Sequence, residues 1–390
     1  MIKSGIVRAK PRYLPLTLLV KQAALMFVYA WVAGWKPRAF VKWLSHWQHL
    51  RHAGAGAGEI GCFGPSPHLV WEATSHCNLR CAHCHAYGGE TVTDELTTAE
   101  AKNLLCQVRA SNIRSFVFSG GEPFLREDLF ELIAYARGIG LNLFIATNGV
   151  LITPEIARRL KEYDVAVVIG IDAMKAEIHE RIRGVPGCFE AMMAGIRNSA
   201  QAGLYFHFNI VATKINLDEV ARIIDFGNSI GAFSYFIYNF VALGRGEQVE
   251  EYKLSQQENR QLLEIIRDNQ RKSSTIIIPV AFPEYWAYLV EKRAIKSRRM
   301  VNFLSHFLGG CEAGRGMTYI KPNGDVWACP FLCDTVGNIR EASLVEIQRR
   351  LASFRLEQNC PECQPCLFQP LCGGCKARMS LGLDCSLTET

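Results

Sequence analysis

Three cysteines stand close together near residue 80. Cys77, Cys81 and Cys84 lie within eight residues and have the spacing C-x3-C-x2-C. A cubic [4Fe-4S] cluster normally takes four thiolates, so a loop that offers only three leaves one iron with an open coordination position. That iron can bind a substrate-like ligand. Zinc is an alternative that the spacing leaves open, because histidines in the same loop could supply a fourth ligand.

A second group of cysteines lies near the end of the chain. Nine of the fifteen cysteines fall between Cys311 and Cys385, and such clustering indicates metal sites or disulfides. Two C-x2-C pairs in this region could also form a zinc ribbon. Three isolated cysteines are interpreted as ordinary buried or loop thiols, namely Cys62, Cys106 and Cys188.

From residue 68 onward, short β-branched and aromatic runs alternate with helical segments. Helix starts lie between the runs, since Thr97 with Glu100 forms a capping box and Thr153 precedes a proline at the first helical position. This alternation predicts a parallel sheet or barrel, whose ligands gather at the carboxyl ends of the strands. The first cysteine group lies at such an end. The six predicted strands are residues 69–74, 115–121, 143–149, 166–172, 206–213 and 235–240.

The cysteine triplet after the first strand, followed by Gly-Gly-Glu-Pro at the second, resembles the radical S-adenosylmethionine (radical SAM) enzymes over residues 69–245. The resemblance implies an α/β fold, a partial (β/α)6 TIM-type barrel. It also implies S-adenosyl-L-methionine as a cofactor, chelated at the open iron of a site-differentiated [4Fe-4S] cluster. In that family, electron transfer from the cluster cleaves the sulfonium to give a 5'-deoxyadenosyl radical, which abstracts a substrate hydrogen.

The resemblance assigns roles to single residues. It makes Cys77, Cys81 and Cys84 the cluster ligands and places His83 beside the adenine, and it gives Glu122 the task of shaping the turn. Gly170 departs from the family pattern, since relatives often have a serine there, and it is left out of the predicted site. The other cofactor-binding residues that the resemblance implies are Gly120, Gly121, Pro123, Thr147, Asn148, Arg183, Gly244 and Arg245.

The C-terminal cysteines resemble the SPASM extension of one branch of that superfamily, which binds one or two auxiliary [4Fe-4S] clusters. The family pattern implies a first cluster with only three thiolates and a second with four. The missing ligand could be Cys333, Cys360 or a carboxylate such as Asp334, or an open iron could bind substrate. The first set is Cys311, Cys329 and Cys375, and the second is Cys363, Cys366, Cys372 and Cys385.

The predicted organisation has four parts. Residues 1–58 form a basic, apolar helical arm, residues 66–246 the core barrel, residues 247–305 a helical bridge over the barrel mouth, and residues 306–390 a small cysteine-rich domain with the auxiliary clusters.

Charge is concentrated in the arm. The formal net charge is +6, and residues 1–58 hold nine Lys or Arg and no acid; the remainder carries 34 basic (43 − 9) and 37 acidic residues. The rest of the chain thus has no stripe of basic residues that could bind nucleic acid. An apolar run of 13 residues, 23–35, is shorter than the roughly 20 that a membrane span needs. The alternatives are a span, a hairpin packed on the protein's own body, and helices lying in a membrane interface.

The amino-acid sequence of the predicted barrel looks most like that of the branch that modifies tetrapyrroles, such as enzymes of haem and haem d1 biosynthesis. We therefore expect a lipophilic small-molecule substrate, a reductant such as ferredoxin or flavodoxin, and a cytoplasmic protein that is peripheral at the inner face of the membrane. Membrane lipid and a ribosomally made peptide are alternative substrates. An iron-sulfur electron-transfer scaffold is the alternative that is not an enzyme.

Overall fold

One ten-stranded sheet forms the centre of the molecule. In chain order its strands are β1 (His68–Glu72), β2 (Ser115–Ser119), β3 (Asn142–Thr147), β4 (Ala166–Gly170), β5 (Phe206–Ala212), β6 (Ser234–Asn239), β7 (Ile276–Val280), β8 (Met317–Ile320), β9 (Asp325–Cys329) and β10 (Leu332–Asn338). Across the sheet the order is β10-β9-β8-β1-β2-β3-β4-β5-β6-β7. The structure is a computed structural model, and it describes residues 24, 27–35, 68–90, 94–111, 113, 115–273, 275–311, 313–314, 316–354, 363, 365–382 and 385.

Strands β1 to β7 are parallel, and each pairs with the next along the chain. Helices connect them, as parallel pairing requires. The predicted capping box at Thr97 and Glu100 and the predicted cap at Thr153 are both present. The helices are α1 (Thr98–Ala110), α2 (Leu129–Gly138), α3 (Pro154–Glu162), α4 (Ala176–Arg183), α5 (Cys188–Gln201), α6 (Val220–Ile230), α7 (Gln256–Lys272), α8 (Glu284–Lys292), α9 (Arg298–Leu304), α10 (Leu344–Phe354), α11 (Gln369–Cys372) and α12 (Lys376–Ser380).

The two faces of the sheet differ in composition because successive side chains of a strand point to opposite faces. On the face that carries the large core, Trp71, Phe116 and Phe118 are fully buried. On the other face, Val117 and Phe144 belong to a separate small apolar cluster. Polar residues follow this small cluster at the carboxyl ends of the strands, so this end is the one suited to a polar site.

The α/β class and the six predicted strands are confirmed, with ends that differ by at most two residues. The prediction that residues 247–305 are helical was wrong in one respect, because β7 lies within them and pairs with β6. Its Ile-Ile-Ile run is short and is followed by Pro279, and a proline within such a run is found only in edge strands, at bulges or at the start of a strand. A proline is tolerated here because β7 is at the edge of the sheet and needs no further ladder hydrogen bonds on its outer side.

The cysteine-rich region is not a detached unit. Its first strand, β8, pairs in parallel with β1, and β9 and β10 continue the same sheet in antiparallel fashion. Arg340, just after β10, holds the region to the barrel through Glu100 Oε1 at 2.6 Å and Asp94 Oδ2 at 2.7 Å. The auxiliary region is therefore built onto the edge of the barrel beside β1.

Part of the N-terminal arm packs on the body. Residues 27–33 are helical, and Tyr29 is fully buried against Trp286. The Tyr29 hydroxyl donates to Gln270 Oε1 at 2.7 Å, and Arg293 donates to the carbonyl oxygen of Val32 at 3.2 Å. These contacts favour, for this segment, the alternative of a helix packed on the protein's own body.

Most of residues 1–58 lies outside the described residues, so contact between the arm and a membrane surface stays a prediction. Within the part of the chain that the structure describes, no helix has the length and apolar character to cross a bilayer. The outward face of the packed segment carries Phe27, 67% exposed, and Trp31, 46% exposed.

Replacement of Tyr29 by Ala should lower the free energy of unfolding by roughly 3–5 kcal/mol, because it empties a buried aromatic site beside Trp286. Trp31→Ala, on the exposed face of the same segment, should change it by less than about 0.5 kcal/mol. Urea unfolding followed by circular dichroism measures both. Equal effects of the two substitutions would show that the segment does not pack as described.

Candidate functional site

The predicted cluster-binding loop follows β1 directly, at the carboxyl edge of the parallel strands. Each of its three cysteine sulfurs faces a nitrogen donor. The backbone N–H of Leu79 donates to Cys77 Sγ at 3.4 Å, and that of Gly88 donates to Cys84 Sγ at 3.3 Å. The third sulfur, Cys81 Sγ, lies 3.9 Å from Arg183 Nη1. Donors of this kind stabilise sulfur in its thiolate form.

Burial alone works against the thiolates. It raises the pKa of Cys81 to about 12 and also raises the pKa of Cys77, so bare thiolates are unfavourable here. A positively charged metal centre reverses that balance, because metal ligation deprotonates a thiol. The loop therefore fits a metal cluster held by three cysteines. Within the described residues, no three His, Cys, Asp or Glu side chains are grouped closely enough to hold a metal ion.

The Gly-Gly-Glu-Pro turn is joined to the start of the cysteine loop by backbone contacts. Gly121 N–H donates to the Thr74 carbonyl oxygen at 2.8 Å, and Glu122 N–H donates to that of His76 at 2.7 Å. Gly120 has a φ of +133°, and a side chain at either glycine would collide with those same carbonyl oxygens. Only glycine allows this close approach. The turn and the loop are thus held as one unit.

Glu122 is fully buried and organises the ends of two further strands. Its carboxylate accepts hydrogen bonds from Thr147 Oγ1 at 2.8 Å, from Asn148 N–H at 2.9 Å and from Phe124 N–H at 3.3 Å. Burial raises the pKa of Glu122 to about 7, although these donors oppose the shift. Asn148 Nδ2 in turn donates to Asn78 Oδ1 in the cysteine loop at 2.7 Å. The structure therefore brings Glu122, Thr147 and Asn148 together, with Pro123 starting a 3₁₀ turn beside them.

His83, Asp172 and Arg183 form a buried polar group behind Cys81. Asp172 Oδ2 lies 3.0 Å from His83 Nε2 and 2.6 Å from Arg183 Nε. Burial would raise the pKa of Asp172, but Arg183 and then His83 outweigh it and hold that pKa well below its usual range. Asp172 was not among the predicted site residues. Its signal in the sequence was its position two residues after the end of β4, at the same edge of the sheet as the cysteines.

The absence of a side chain at position 170 has a physical reason. A Cβ at Gly170 would lie 2.6 Å from Arg183 Nη2, so the space that a serine would take is filled by the guanidinium. The departure from the family pattern thus goes together with the placement of Arg183 against Cys81.

The Gly-Arg-Gly segment after β6 closes over the cysteine loop. Arg245 N–H donates to the carbonyl oxygen of Cys84 at 2.9 Å, and Arg245 Nε donates to that of Cys81 at 3.1 Å. Gly244 packs closely on Cys84, since a Cβ there would lie 2.6 Å from the Cys84 carbonyl oxygen. Arg245 Nη1 is buried and finds no hydrogen-bond partner among the described residues. An unused cationic donor beside the loop fits the carboxylate of a bound amino-acid moiety.

A network that sequence reasoning missed links the cysteine loop to β8. Tyr319 Oη donates to the buried Glu72 at 2.6 Å and lies 3.2 Å from His85 Nε2, and Lys321 Nζ lies 2.7 Å from the other Glu72 oxygen. The pKa of His85 is lowered to about 3, mainly because the ring is buried and secondly because of the positive charge of Lys321. The only sequence signal was a glutamate directly after the apolar run Leu-Val-Trp of β1.

Aromatic rings stand beside this network. Phe331 lies 5.3 Å, centroid to centroid, from His85 and 6.3 Å from Tyr238, and Tyr319 lies 6.3 Å from His85. We call these four residues the ring wall. One of its members, His85, directly follows Cys84 in the chain, so a flat apolar molecule that contacted His85 would lie near the predicted cluster.

Electrostatic interactions link some of the described auxiliary cysteines, and their assignment to two clusters stays a prediction. The Cys372 thiol interacts electrostatically with Cys363 and Cys385, and the Cys375 thiol with Cys311; burial raises the pKa of both Cys372 and Cys375. The 13 described cysteines are all free of disulfides. Cys360 lies outside the described residues.

Two family models match the chain. That of the Radical SAM superfamily matches residues 71–227, and that of the SPASM iron-sulfur cluster-binding domain matches residues 311–367.

Curated relatives cover most of the chain. An AdoMet-dependent heme synthase of Methanosarcina barkeri (strain Fusaro / DSM 804) is 33% identical over 80% of this chain and 92% of the relative. An Fe-coproporphyrin III synthase of the same organism is 29% identical over 79% of this chain and 82% of the relative. The mycofactocin maturase MftC of Mycobacterium tuberculosis is 30% identical over 79% of this chain and 78% of the relative.

Solved structures share the fold. Streptococcus suis SuiB bound to the precursor peptide SuiA superimposes with a TM-score of 0.65 at 20% identity, over 86% of this chain and 76% of that one. Native anSMEcpe with bound AdoMet gives a TM-score of 0.61 at 20% identity, over 80% of this chain and 90% of that one.

Gly170→Ser should displace the Arg183 guanidinium and break its buried pair with Asp172, at a cost on the order of 3 kcal/mol. We expect a lower unfolding midpoint and slower reductive cleavage of S-adenosylmethionine, measured as 5'-deoxyadenosine by liquid chromatography. Gly138→Ser, where an added Cβ meets nothing within 4 Å, is the matched control. A Gly170→Ser protein that behaves like Gly138→Ser would contradict the role given to this glycine.

Proposed function

The chain belongs to the radical SAM superfamily, and on that basis we propose that it is a tetrapyrrole-modifying enzyme that abstracts hydrogen from a lipophilic, porphyrin-type substrate. Its superfamily and its SPASM domain make it an enzyme that uses S-adenosylmethionine, a [4Fe-4S] cluster and auxiliary iron-sulfur clusters. The alternative of an electron-transfer scaffold is therefore set aside.

The observation that carries the proposal is the similarity to an AdoMet-dependent heme synthase, which extends over 92% of that relative. A pre-heme d1 synthase of Dinoroseobacter shibae, 26% identical over 80% of this chain, and the Fe-coproporphyrin III synthase also act in tetrapyrrole chemistry by their names. The ring wall adds physical support, because stacked and edge-on contacts with aromatic rings suit a flat macrocycle.

The protein's own residues would position and shield the chemistry. When bound, S-adenosylmethionine supplies a 5'-deoxyadenosyl radical. Cys77, Cys81 and Cys84 would hold the cluster, and Arg183 would donate to Cys81. The free Nη1 of Arg245 would bind a carboxylate of the cofactor. The turn at Gly120 and Gly121, kept against the loop by Glu122, would receive the methionine amine.

The proposed reaction takes place at the mouth of the barrel. The ring wall and the Glu72, Tyr319 and Lys321 network would form the side of the substrate pocket next to the auxiliary region. Ferredoxin or flavodoxin as the reductant stays a prediction.

Peptide maturation is the second candidate function. It is favoured by the 30% identity to MftC, whose name describes a maturase. The two candidates differ in which molecule loses hydrogen, so one labelling experiment separates them.

Cys81→Ala should abolish cleavage of S-adenosylmethionine while auxiliary iron remains, because it removes one of the three ligands of the site-differentiated cluster. After anaerobic reconstitution the intact protein should hold about 12 irons if three cubane clusters assemble, and the Cys77/Cys81/Cys84 triple Ala variant about eight. Iron analysis and 5'-deoxyadenosine formation measure these quantities. Cleavage at the rate of the unchanged protein would reject the ligand assignment, and stoichiometric zinc with about four irons would indicate a zinc ribbon instead.

Iron porphyrins with deuterated side chains should transfer deuterium into 5'-deoxyadenosine and change in mass. Phe331→Ala should slow this turnover by roughly 3- to 10-fold, the effect of losing an aromatic contact. Phe303→Ala, a change of a 54% exposed ring, is the control and should leave it unchanged. Deuterium transfer from a peptide, with none from any porphyrin, would favour the second candidate function.

A further inference from the structure

The packed segment of the N-terminal arm presents two aromatic side chains on its outward face. Phe27 is 67% exposed and Trp31 is 46% exposed, whereas Tyr29 between them is fully buried. Residues four positions apart on a helix are neighbours on its surface, so the two exposed rings lie side by side. A single exposed ring needs no explanation, but exposed apolar groups that lie together indicate an interaction surface.

Two arginine side chains of the body border this segment. Arg293 donates through Nε to the carbonyl oxygen of Val32 at 3.2 Å and through Nη2 to that of Trp31. A Cβ added to Gly34 would lie 3.0 Å from Arg293 Nη2 and 3.6 Å from Arg271 Nε. Both arginines are exposed residues. The aromatic face and these two guanidinium groups therefore adjoin each other on the surface of the protein.

Positive charge continues along the chain from Arg293. We call residues 292–299 the basic segment, because five of these eight residues are basic and no acidic residue follows them before Glu312. Its far end is held to the cysteine-rich region, where Arg298 Nη1 donates to the carbonyl oxygen of Cys366 at 2.9 Å. The five basic residues are all exposed, and they are Lys292, Arg293, Lys296, Arg298 and Arg299.

The acidic residues around this surface do not balance its charge. Glu291 is exposed and directly precedes the basic segment, so one negative charge stands against five positive ones. On α7, Asp268 lies three residues before Arg271, but its carboxylate is already paired with Arg267 at 2.8 Å. The surface thus keeps a net positive charge that calls for an anionic partner from outside.

The rest of the N-terminal arm is not that partner. Residues 1–58 contain no acidic residue, so the arm has no side-chain carboxylate that could neutralise the surface. The chain that continues beyond Trp35 adds basic residues and two further tryptophans before position 59, namely Lys36, Arg38, Lys42, Trp43, Trp47 and Arg51. The sequence there has the same composition as the surface itself.

The chemistry of the surface fits a lipid bilayer that carries negative charge. Tryptophan is enriched in the headgroup region of membranes, where its ring is partly apolar and partly polar. Basic residues next to such rings are attracted to anionic lipids, and this attraction acts within about a Debye length of the membrane. An acidic protein would account for the charge, but it would leave the paired exposed rings of Phe27 and Trp31 without a role.

We propose that the outward face of the packed arm segment and the basic segment together form a surface that binds an anionic lipid bilayer. Phe27 and Trp31 would enter the headgroup region, and Arg271, Arg293 and the basic segment would lie beside the lipid phosphates. The inference concerns where the protein is placed in the cell and does not depend on the identity of its substrate.

The test measures binding of full-length, cluster-containing protein to vesicles by sedimentation. Vesicles of phosphatidylcholine and phosphatidylglycerol should bind the protein, and vesicles of phosphatidylcholine alone should bind it much less. The Lys296→Gln/Arg299→Gln variant should bind the mixed vesicles roughly 25-fold more weakly, about 5-fold for each charge removed. The matched control, Lys175→Gln/Arg197→Gln, removes two charges from exposed positions directly before α4 and on α5, and it should change binding by less than about 2-fold.

The aromatic part is tested by its response to salt. High salt should weaken binding of the intact protein and leave a residue of binding, because salt screens charge but does not remove apolar contact. Phe27→Ala/Trp31→Ala should bind roughly 10-fold more weakly and lose that residue. All three double variants change exposed side chains, so their unfolding midpoints and their cleavage of S-adenosylmethionine should equal those of the intact protein.

Three results would overturn the proposal. The first is an intact protein that ignores anionic vesicles at low salt. The second is equal binding by the Lys296→Gln/Arg299→Gln variant and its control, which would place any membrane contact elsewhere in the arm. The third is a Phe27→Ala/Trp31→Ala variant that binds like the intact protein, which would indicate a purely electrostatic surface such as one for an acidic protein. None of these measurements uses substrate, so their outcome is separate from that of the proposed function.

Discussion

Burial of the sulfur ligands is the constraint on which the rest of this structure depends. Cys81 is almost fully buried, and its thiol is strongly disfavoured as a bare thiolate. Water cannot stabilise it, so the chain surrounds the cysteine loop with donors and positive charge. Arg183 faces Cys81 Sγ, Arg245 holds the loop carbonyl oxygens, and backbone N–H groups face Cys77 and Cys84. Asp172 then balances the buried Arg183.

The auxiliary region continues the central sheet and so has a fixed position beside β1. The pairing of β8 with β1 supplies a rigid connection, and the hydrogen bond from Tyr319 to Glu72 ties that strand to the strand that leads into the cysteine loop. The Arg340 contacts with Asp94 and Glu100 support the connection from outside the barrel.

Features that depend on neighbours in the chain could be predicted from the sequence. The six strands, the two helix caps and the order of the motifs follow from short patterns. Strand β7 was missed because its apolar run is short and ends in a proline, and only its edge position makes that proline acceptable. Asp172 and Tyr319 were missed because each acts with a partner 89 or 234 positions away, as in His83 with Asp172 and His85 with Tyr319. No short sequence pattern indicates such distant pairs.

The central claim is that Cys77, Cys81 and Cys84 hold a cluster with one iron open to S-adenosylmethionine. Electron paramagnetic resonance of the reduced protein tests it most directly, with the Cys81→Ala variant used to identify the signal that belongs to this cluster. The account predicts that addition of S-adenosylmethionine shifts that signal and leaves the auxiliary signals unchanged. A signal that depends on Cys81 but does not respond to S-adenosylmethionine would contradict it.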